Sequence, residues 1–274
     1  MQHPELSFVI LNYKTKELVR ECVKNIYRSH IALSFEVIIV DNGRDEGLEA
    51  LLEERFGDVR YIPLSRNIGC AAGNNMGIRA ARGTYVIISN ADVTVLPGAL
   101  EALHATMEHH VDIGIAGPRL LNPDGTIQES YYRFYQPFTP IYRRLWIGTL
   151  PFAKKHIDTF LMKDVDVRGC IDVDSLMGAF LFVRRSAIDR VGPFDERFFL
   201  YFSDTDWCMR FWRAGYRVLY HSDITLIHLH KRQSAQYMGL RSLRDPVTRI
   251  HIADGIRYFL KYRMNYERPH SPSS

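Results

Sequence analysis

Over its first 118 positions the chain alternates short β-branched apolar runs with stretches in which apolar residues recur every three to four positions. This is the pattern of strand-helix-strand units that build a parallel sheet. The runs predict strands over 6–11, 36–40, 59–63, 85–89 and 113–116, and the periodic stretches predict helices over 14–28, 47–56, 71–81 and 97–109. Gly83 suits the stop just past the third helix, and Pro97 suits the first turn of the fourth, where a missing N–H costs nothing.

The order changes after Pro118. Asn122-Pro123-Asp124-Gly125 is a turn signal between two short runs and predicts a hairpin. From Tyr131 to Trp146 aromatics crowd together without a clear period, which reads as a long functional loop region rather than more sheet. A buried strand is then predicted over 176–183, an apolar run over 198–202, a helix over 204–214 closed by Gly215, and strands over 217–220 and 224–227. A basic amphipathic helix over 246–262 precedes a tail, 269–274, of disordered composition. The expected organisation is a domain over 1–235, with a nucleotide-binding half (1–118) and an acceptor half (119–235), followed by a basic helix and tail over 236–274.

Composition narrows the class. With 274 residues, 46% apolar and 24% charged, the chain can bury a large core and is neither disordered nor fibrous. A net charge of +4, from 35 basic and 31 acidic residues, is too small for a dedicated nucleic-acid binder. The surplus sits in one place: Arg241, Arg244, Arg249, Arg257, Lys261 and Arg263 against Asp245 and Asp254. The four cysteines, Cys22, Cys70, Cys170 and Cys208, are scattered without a Cys-x-x-Cys pair, which fits reduced thiols better than zinc ligands or disulfides. No secretory signal opens the chain, and no apolar run approaches the roughly 18 residues of a membrane span. A cytoplasmic protein is expected, one that meets a membrane only from its inner face.

Polar side chains cluster where the predicted strands end: Asn12 after the first, Asp41-Asn42 after the second, Asn90-Ala91-Asp92 after the fourth. Open parallel sheets bind ligands at the carboxyl ends of their strands, so the three clusters are expected to converge on one crevice. Each alone also fits a helix cap or a turn. Between the third strand and third helix, the run from Arg66 to Gly77 carries glycines that would let a helix N-terminus approach a phosphate-bearing ligand. Its spacing and its place after the third strand differ from a dinucleotide fingerprint, which points to a nucleoside diphosphate.

Asp92 offers a hard oxygen ligand for Mg²⁺ or Mn²⁺, and His228, with His230 as the weaker choice, offers a second. The run Phe198 to Arg210 delivers Asp204 and Asp206 to the first turn of a helix. One could act as a general base if it faces a pocket; capping by Ser203 or Asp204, with Asp206 favouring the helix dipole, is the competing reading.

Taken in order, these segments resemble the inverting glycosyltransferases of family two, of GT-A fold, and within them the rhamnosyltransferase-like branch. The resemblance runs from Leu6 to His230 and rests on Asp41-Asn42, the Arg66–Gly77 run, Asn90-Ala91-Asp92, Gly178-Ala179, Gly192 to Phe202, Asp204-Thr205-Asp206 and Ala214-Gly215-Tyr216. It implies an α/β, mostly parallel central sheet flanked by helices, with a C-terminal helical extension. It further implies that Asn12, Asp41 and Asn67 line the nucleotide pocket, with Asp41 reading the base edge and Asn42, Arg66, Gly69, Asn75 and Asn90 around it. Asp92 and His228 would hold the divalent cation, Asp204 would be the catalytic base, and Gly178, Ala179 and Asp206 would support the acceptor side. The sequence departs from the family pattern at Ser203, where a Glu is usual, and at Asn90, where the first Asp of an Asp-x-Asp would stand.

The implied activity is transfer of a sugar, rhamnose from dTDP-rhamnose first and UDP-sugars next, to a glycan or lipid-linked acceptor. Peripheral membrane contact through the basic helix and a homodimer are further expectations; packing of that helix on the catalytic domain or a second subunit is the alternative. Two rivals remain beside this reading: an inactive nucleotide-sugar binding module, and a nucleotidyltransferase. The latter needs a basic Gly-rich loop after the first strand, where Asn12-Tyr13-Lys14-Thr15 has no glycine.

Overall fold

The computed structural model describes residues 3–229 and 245–263. Strands β1 (Leu6–Asn12), β2 (Phe35–Asn42), β3 (Arg60–Leu64) and β4 (Tyr85–Asn90) alternate with helices α1 (Lys16–Arg28), α2 (Leu48–Arg55) and α3 (Cys70–Ala80), as the periodicity predicts. After β5 (Val93–Thr94) and α4 (Ala99–His109) comes the long strand β6 (Ile113–Leu121). The second half contains β7 (Tyr131–Tyr132), α5 (Thr139–Arg144), a 3₁₀ turn over Trp146–Thr149, α6 (Pro151–Phe160), β8 (Cys170–Asp172), β9 (Ser175–Leu176) and β10 (Phe180–Arg184). It closes with α7 (Arg185–Val191), α8 (Ser203–Arg213), β11 (Arg217–His228) and α9 (Pro246–Tyr262).

The main sheet runs β3-β2-β1-β4-β10-β6-β11-β5, with β8 paired to β11 off that path. β3, β2, β1 and β4 are parallel, β10 runs antiparallel between β4 and β6, and β6 pairs β11 in parallel. Helices cover both faces. One apolar cluster gathers Val19, Val23 and Ile26 of α1, Leu52 of α2 and Leu103 of α4; the other gathers Ile78 of α3, Trp207 and Phe211 of α8, and Tyr258 and Tyr262 of α9. Burial on both sides explains why the central strands read as unbroken apolar runs instead of alternating ones.

Several expectations change. The region 131–160 is not a structureless loop: it forms β7, paired antiparallel to β9, and the helices α5 and α6. Its aromatics make a satellite core, with Tyr131 4.3 Å from the Tyr220 ring and Tyr135 4.6 and 4.9 Å from Phe160 and Phe202. These rings face two neighbours at once, which erases the single-sided period of a helix. The strand over 176–183 splits at Met177-Gly178-Ala179 into β9 and β10, whereas the two late strands are one, β11, with register shifts including one between His221 and Thr225. α7 was not foreseen.

Two punctuation readings also differ. α3 ends before Ala81, and Gly83 serves close approach instead: a Cβ there would stand 2.7 Å from the Ser7 backbone nitrogen. Pro97 lies outside α4, whose N-cap is Gly98. Gly215 does close α8, at φ +85°. All four cysteines are free, as expected. The tail 269–274, His230, Arg241, Arg244 and the boundary expected near 235 lie outside the described residues. α9 is packed into the second core, with Tyr258 fully buried.

Candidate functional site

The strand ends converge as predicted. Asn12 pairs in register with Asp41, and Leu11 with Asn90, so the polar residues after β1, β2 and β4 form one row at the carboxyl edge of the sheet. The row separates into supports and surfaces. Asn12 and Asp41 have no accessible surface. The Asn12 amide donates to Asp41 at 3.0 Å, and its oxygen accepts from the Thr15 amide and hydroxyl. Asp41 also accepts from the Asp45 amide at 2.6 Å and the Tyr61 hydroxyl at 2.7 Å. Through these bonds Asn12 and Asp41, expected to line the nucleotide pocket with Asp41 at the base edge, hold the loop after β2 and the Tyr61 hydroxyl.

The glycine-rich segment makes close contacts within the chain. Gly69 has φ +92°, its added Cβ would stand 2.7 Å from the Phe199 carbonyl oxygen, and that carbonyl accepts from the Cys70 amide at 2.5 Å. Phe199 thus satisfies the first amide of the α3 N-terminus, the helix end expected to meet a phosphate. Asn42 donates to the Gly69 carbonyl and the Asn67 side chain, both at 3.0 Å, and accepts from the Ile68 amide at 2.8 Å, so Asn42 and Asn67 hold this turn. Asn75 is 1% exposed and clamps the backbone of Phe194, donating to its carbonyl and accepting from its amide, both at 2.9 Å. These contacts occupy the Asn75 amide, which the sequence reading set around the nucleotide pocket. Arg66 is exposed beside the turn, and Asn90 is exposed at the end of β4.

Asp92 and His228 come together from elements far apart in sequence. β5 pairs antiparallel with the end of β11, Val93 opposite His228, which sets the Asp92 carboxylate 3.3 Å from His228 Nε2. Gln128 fixes the imidazole. Its amide nitrogen donates to the His228 carbonyl at 2.7 Å and to Asn122 Oδ1 at 2.8 Å, which turns its Oε1 toward His228 Nδ1 at 2.9 Å. Nδ1 must then carry the proton, and a neutral ring points the Nε2 lone pair at a carboxylate. Two acceptors facing each other at 3.3 Å call for a positive charge between them, either a proton or a cation. The donor set therefore fits a divalent ion. Among the described residues no group of three or more His, Cys, Asp or Glu side chains is arranged to hold a metal, so Asp92 and His228 are the two ligands that these residues offer, and a divalent ion would complete its shell from elsewhere.

Asp204 lies across the same strand end. The Asn90 amide donates to the Ala179 carbonyl at 2.9 Å, and the adjacent Gly178 amide donates to Asp204 Oδ2 at 2.9 Å. Gly178 leaves room for this approach, because a Cβ there would stand 3.2 Å from the carboxylate. Neither Ser203 nor Asp204 caps α8. The N-cap is Phe202, in the left-handed region at φ +64° and wedged among Tyr135, His251 and Tyr258. Such a conformation is costly for an aromatic residue and places the following turn, with Asp204, against the cleft. Burial raises the Asp204 carboxyl above the ordinary value, against the Gly178 and Thr205 amides that favour its charge.

Asp206, expected to support the acceptor side, has its contacts within α8 and α9. It is fully buried, and its oxygens are taken by Arg210 at 3.0 Å, Tyr262 at 2.7 Å and Lys261 at 2.5 Å. Asp254, on α9, is a residue the sequence reading missed. It is fully buried and accepts from the backbone amides of Phe199, Leu200 and Tyr201 at 3.2, 2.9 and 3.0 Å, holding the segment that leads into Asp204. Its signal was available: Asp254 shares a helical face with Tyr258 and Tyr262, an acid on an apolar stripe. Gln128 left no comparable trace.

With the fold and this cleft in place, the model for "Glycosyl transferase family 2" matches residues 7–191. The chain belongs to that family. This family 2 glycosyltransferase is 28% identical over 237 residues to the N-acetylglucosaminyl-diphospho-decaprenol L-rhamnosyltransferase of Mycobacterium tuberculosis, covering 78% of this chain and 70% of the relative. It is 29% identical over 213 residues to the low-salt glycan biosynthesis hexosyltransferase Agl10 of Haloferax volcanii, covering 75% of this chain and 61% of that one. Among solved structures, GalNAc-T7 with UDP, GalNAc and Mn²⁺ superimposes with a TM-score of 0.66 at 14% identity, over 95% of this chain and 48% of the other. The mannosyltransferase PcManGT of Pyrobaculum calidifontis, in complex with GDP-Man and Mn²⁺, gives 0.57 at 14% identity, over 96% and 76%. The glycosyltransferase therefore has the expected GT-A fold.

Proposed function

We propose that the chain is an inverting glycosyltransferase moving a sugar, rhamnose from dTDP-rhamnose as first choice, to a hydroxyl of a glycan or lipid-linked acceptor in cell-surface polysaccharide synthesis. The observation that carries this reading is the placement of two unlike carboxylates on either side of the Asn90–Ala179 hydrogen bond. Asp92 faces His228, and Asp204 rests on Gly178. Asp92 and His228 are the residues that would hold Mg²⁺ or Mn²⁺, and the bound ion would offset the charge of the nucleoside diphosphate leaving group.

Asp204 acts on the acceptor. It takes the hydroxyl proton as that oxygen bonds to the anomeric carbon, while the bond from this carbon to the diphosphate oxygen breaks on the opposite face. The proton ends on Asp204, the configuration inverts, and no covalent enzyme intermediate forms. Burial makes Asp204 a stronger base than an exposed Asp, which suits proton removal near neutral pH. The donor pocket is bordered by the loop that Asp41 and Asn12 hold in place, with Arg66 and Asn90 at its exposed edge. Rhamnose is favoured because the mycobacterial relative is named for rhamnosyl transfer to a lipid diphosphate; the Mn²⁺ bound in both structural neighbours supports the cation.

The test is release of nucleoside diphosphate from dTDP-rhamnose and a panel of UDP-sugars with Mn²⁺. Slow release is expected even without acceptor, and excess EDTA should stop it. Full activity in EDTA would remove the cation together with the roles of Asp92 and His228. Tight binding of a nucleotide sugar with no release from any donor would leave a binding module and sink the proposal.

A further inference from the structure

α9 carries more apolar surface than its packing uses. Thr248, Asp254, Gly255, Tyr258 and Tyr262 face the core, while Ile252, Ile256 and Leu260 form an outward stripe, 40%, 55% and 71% exposed. Arg249, Arg257 and Arg263 flank this stripe and are exposed. The outward face carries no exposed acid among the described residues: Asp254 is buried, and Asp245 is spent on the N-cap, accepting from the Thr248 amide and hydroxyl at 2.8 and 3.0 Å.

The α5–α6 segment continues this surface. Tyr135, just before α5, packs on Phe202, and Phe202 packs on His251 of α9 at 5.3 Å. Arg143 and Arg144, at the end of α5, lie near enough to His251 for their charge, added to burial, to depress its basicity. Beside them Ile141, Leu145 and Trp146 point outward, Trp146 being 70% exposed. Large apolar side chains and arginines are thus interleaved along one flank, the flank where the Phe202 turn leads into Asp204.

We propose that α9 and the α5–α6 segment together form a docking face for an anionic lipid bilayer. Apolar stripes rimmed by cations lie at the boundary between headgroups and acyl chains, where the apolar groups leave water and the arginines meet phosphate. Trp146 suits the same depth, because an indole has an apolar body and one polar N–H. Charge separates this occupant from a second copy of the chain: a symmetric contact through this face would set arginines against arginines. No helix among the described residues is long and apolar enough to cross a membrane. The inference does not depend on which sugar is transferred or on whether transfer occurs.

Co-sedimentation decides it. Vesicles of phosphatidylcholine with about one third phosphatidylglycerol should carry the full chain down at low salt, and vesicles of phosphatidylcholine alone should not. Ile256→Ser with Leu260→Ser should weaken partitioning at least about tenfold, and Arg249→Gln with Arg263→Gln should reduce both binding and its salt dependence. Unchanged circular dichroism and thermal midpoint in these variants would show that the fold is intact. Absence of lipid-dependent pelleting at low salt overturns the proposal. A dimer in sedimentation that the Ile256/Leu260 substitutions dissolve overturns it too, since the stripe then meets a second copy.

Discussion

At the scale of single residues, the two carboxylates of the cleft make opposite demands on their surroundings. Asp92 faces His228 Nε2 at 3.3 Å, where the proposed cation would sit, while burial raises the carboxyl of Asp204, the proposed base. Asp204→Asn is expected to lower turnover at least about a hundredfold while leaving donor affinity nearly intact, as measured by kcat and by donor Kd. In the parent enzyme the acid limb of the kcat profile should lie above the ordinary Asp value of 3.8, because burial raises this group. Stability follows the same sign. A folded-state pKa above the unfolded one means that the contribution of Asp204 is complete below about pH 4 and is lost as pH rises through the folded value. The thermal midpoint of the parent relative to Asp204→Asn should therefore fall across that window; a constant difference would show that Asp204 is not destabilised by its charge. Much of this chemistry was legible in sequence because it sits on short motifs at strand ends. The reach of Gln128 to His228 was not, since it spans 100 positions and depends on how β5 and β11 meet.

Elements were legible where burial imposes a single pattern and illegible where it does not. β1, β2 and β4 showed as apolar runs because both faces are covered, and α1 showed as a stripe of Val19, Cys22, Val23 and Ile26. The reversed direction of β10 leaves no mark in its composition, because a doubly buried strand looks the same either way. Glycines in α3 have a packing cause that the sequence pattern alone does not show. Gly73 and Gly77 face β1, and a Cβ on them would stand 2.6 Å from Leu11 and 2.2 Å from Val9. They set the distance between helix and sheet. Gly77→Ala should accordingly cost about 1–3 kcal/mol of overpacking, of which the better helix propensity of Ala returns less than about 1 kcal/mol. Urea unfolding measures the net loss. Gly57→Ala is the control, because nothing lies within 4 Å of its added Cβ and little change is expected.

At the scale of the molecule, the basic helix read from sequence as an appendage is tied to the interior on which the turn carrying Asp204 depends. Asp206 is fully buried on α8 and receives two of its partners, Lys261 and Tyr262, from α9. Asp254 of α9 satisfies three backbone amides just before Asp204, and Tyr258 packs against the left-handed Phe202. Lys261, expected on the membrane-facing rim, instead bridges Asp206 and Asp195. Removing one partner of a buried ion pair costs about 3–5 kcal/mol, and uncovering large side chains adds about 1.5–3 kcal/mol each. The net stability of a domain is about 5–15 kcal/mol, so the losses are comparable with the whole. A chain ending before Asp245 should therefore fail to accumulate as a folded monomer, as seen by soluble yield, circular dichroism and the absence of a cooperative thermal transition. The milder variant Asp254→Asn keeps the helix but gives up part of the acceptor capacity that the three amides share, and should melt lower and lose activity together. A truncated chain that stayed soluble, melted cooperatively and released nucleoside diphosphate at the parent rate would show that the cleft stands without α9, and that the contacts of Asp254 and Lys261 are incidental to it.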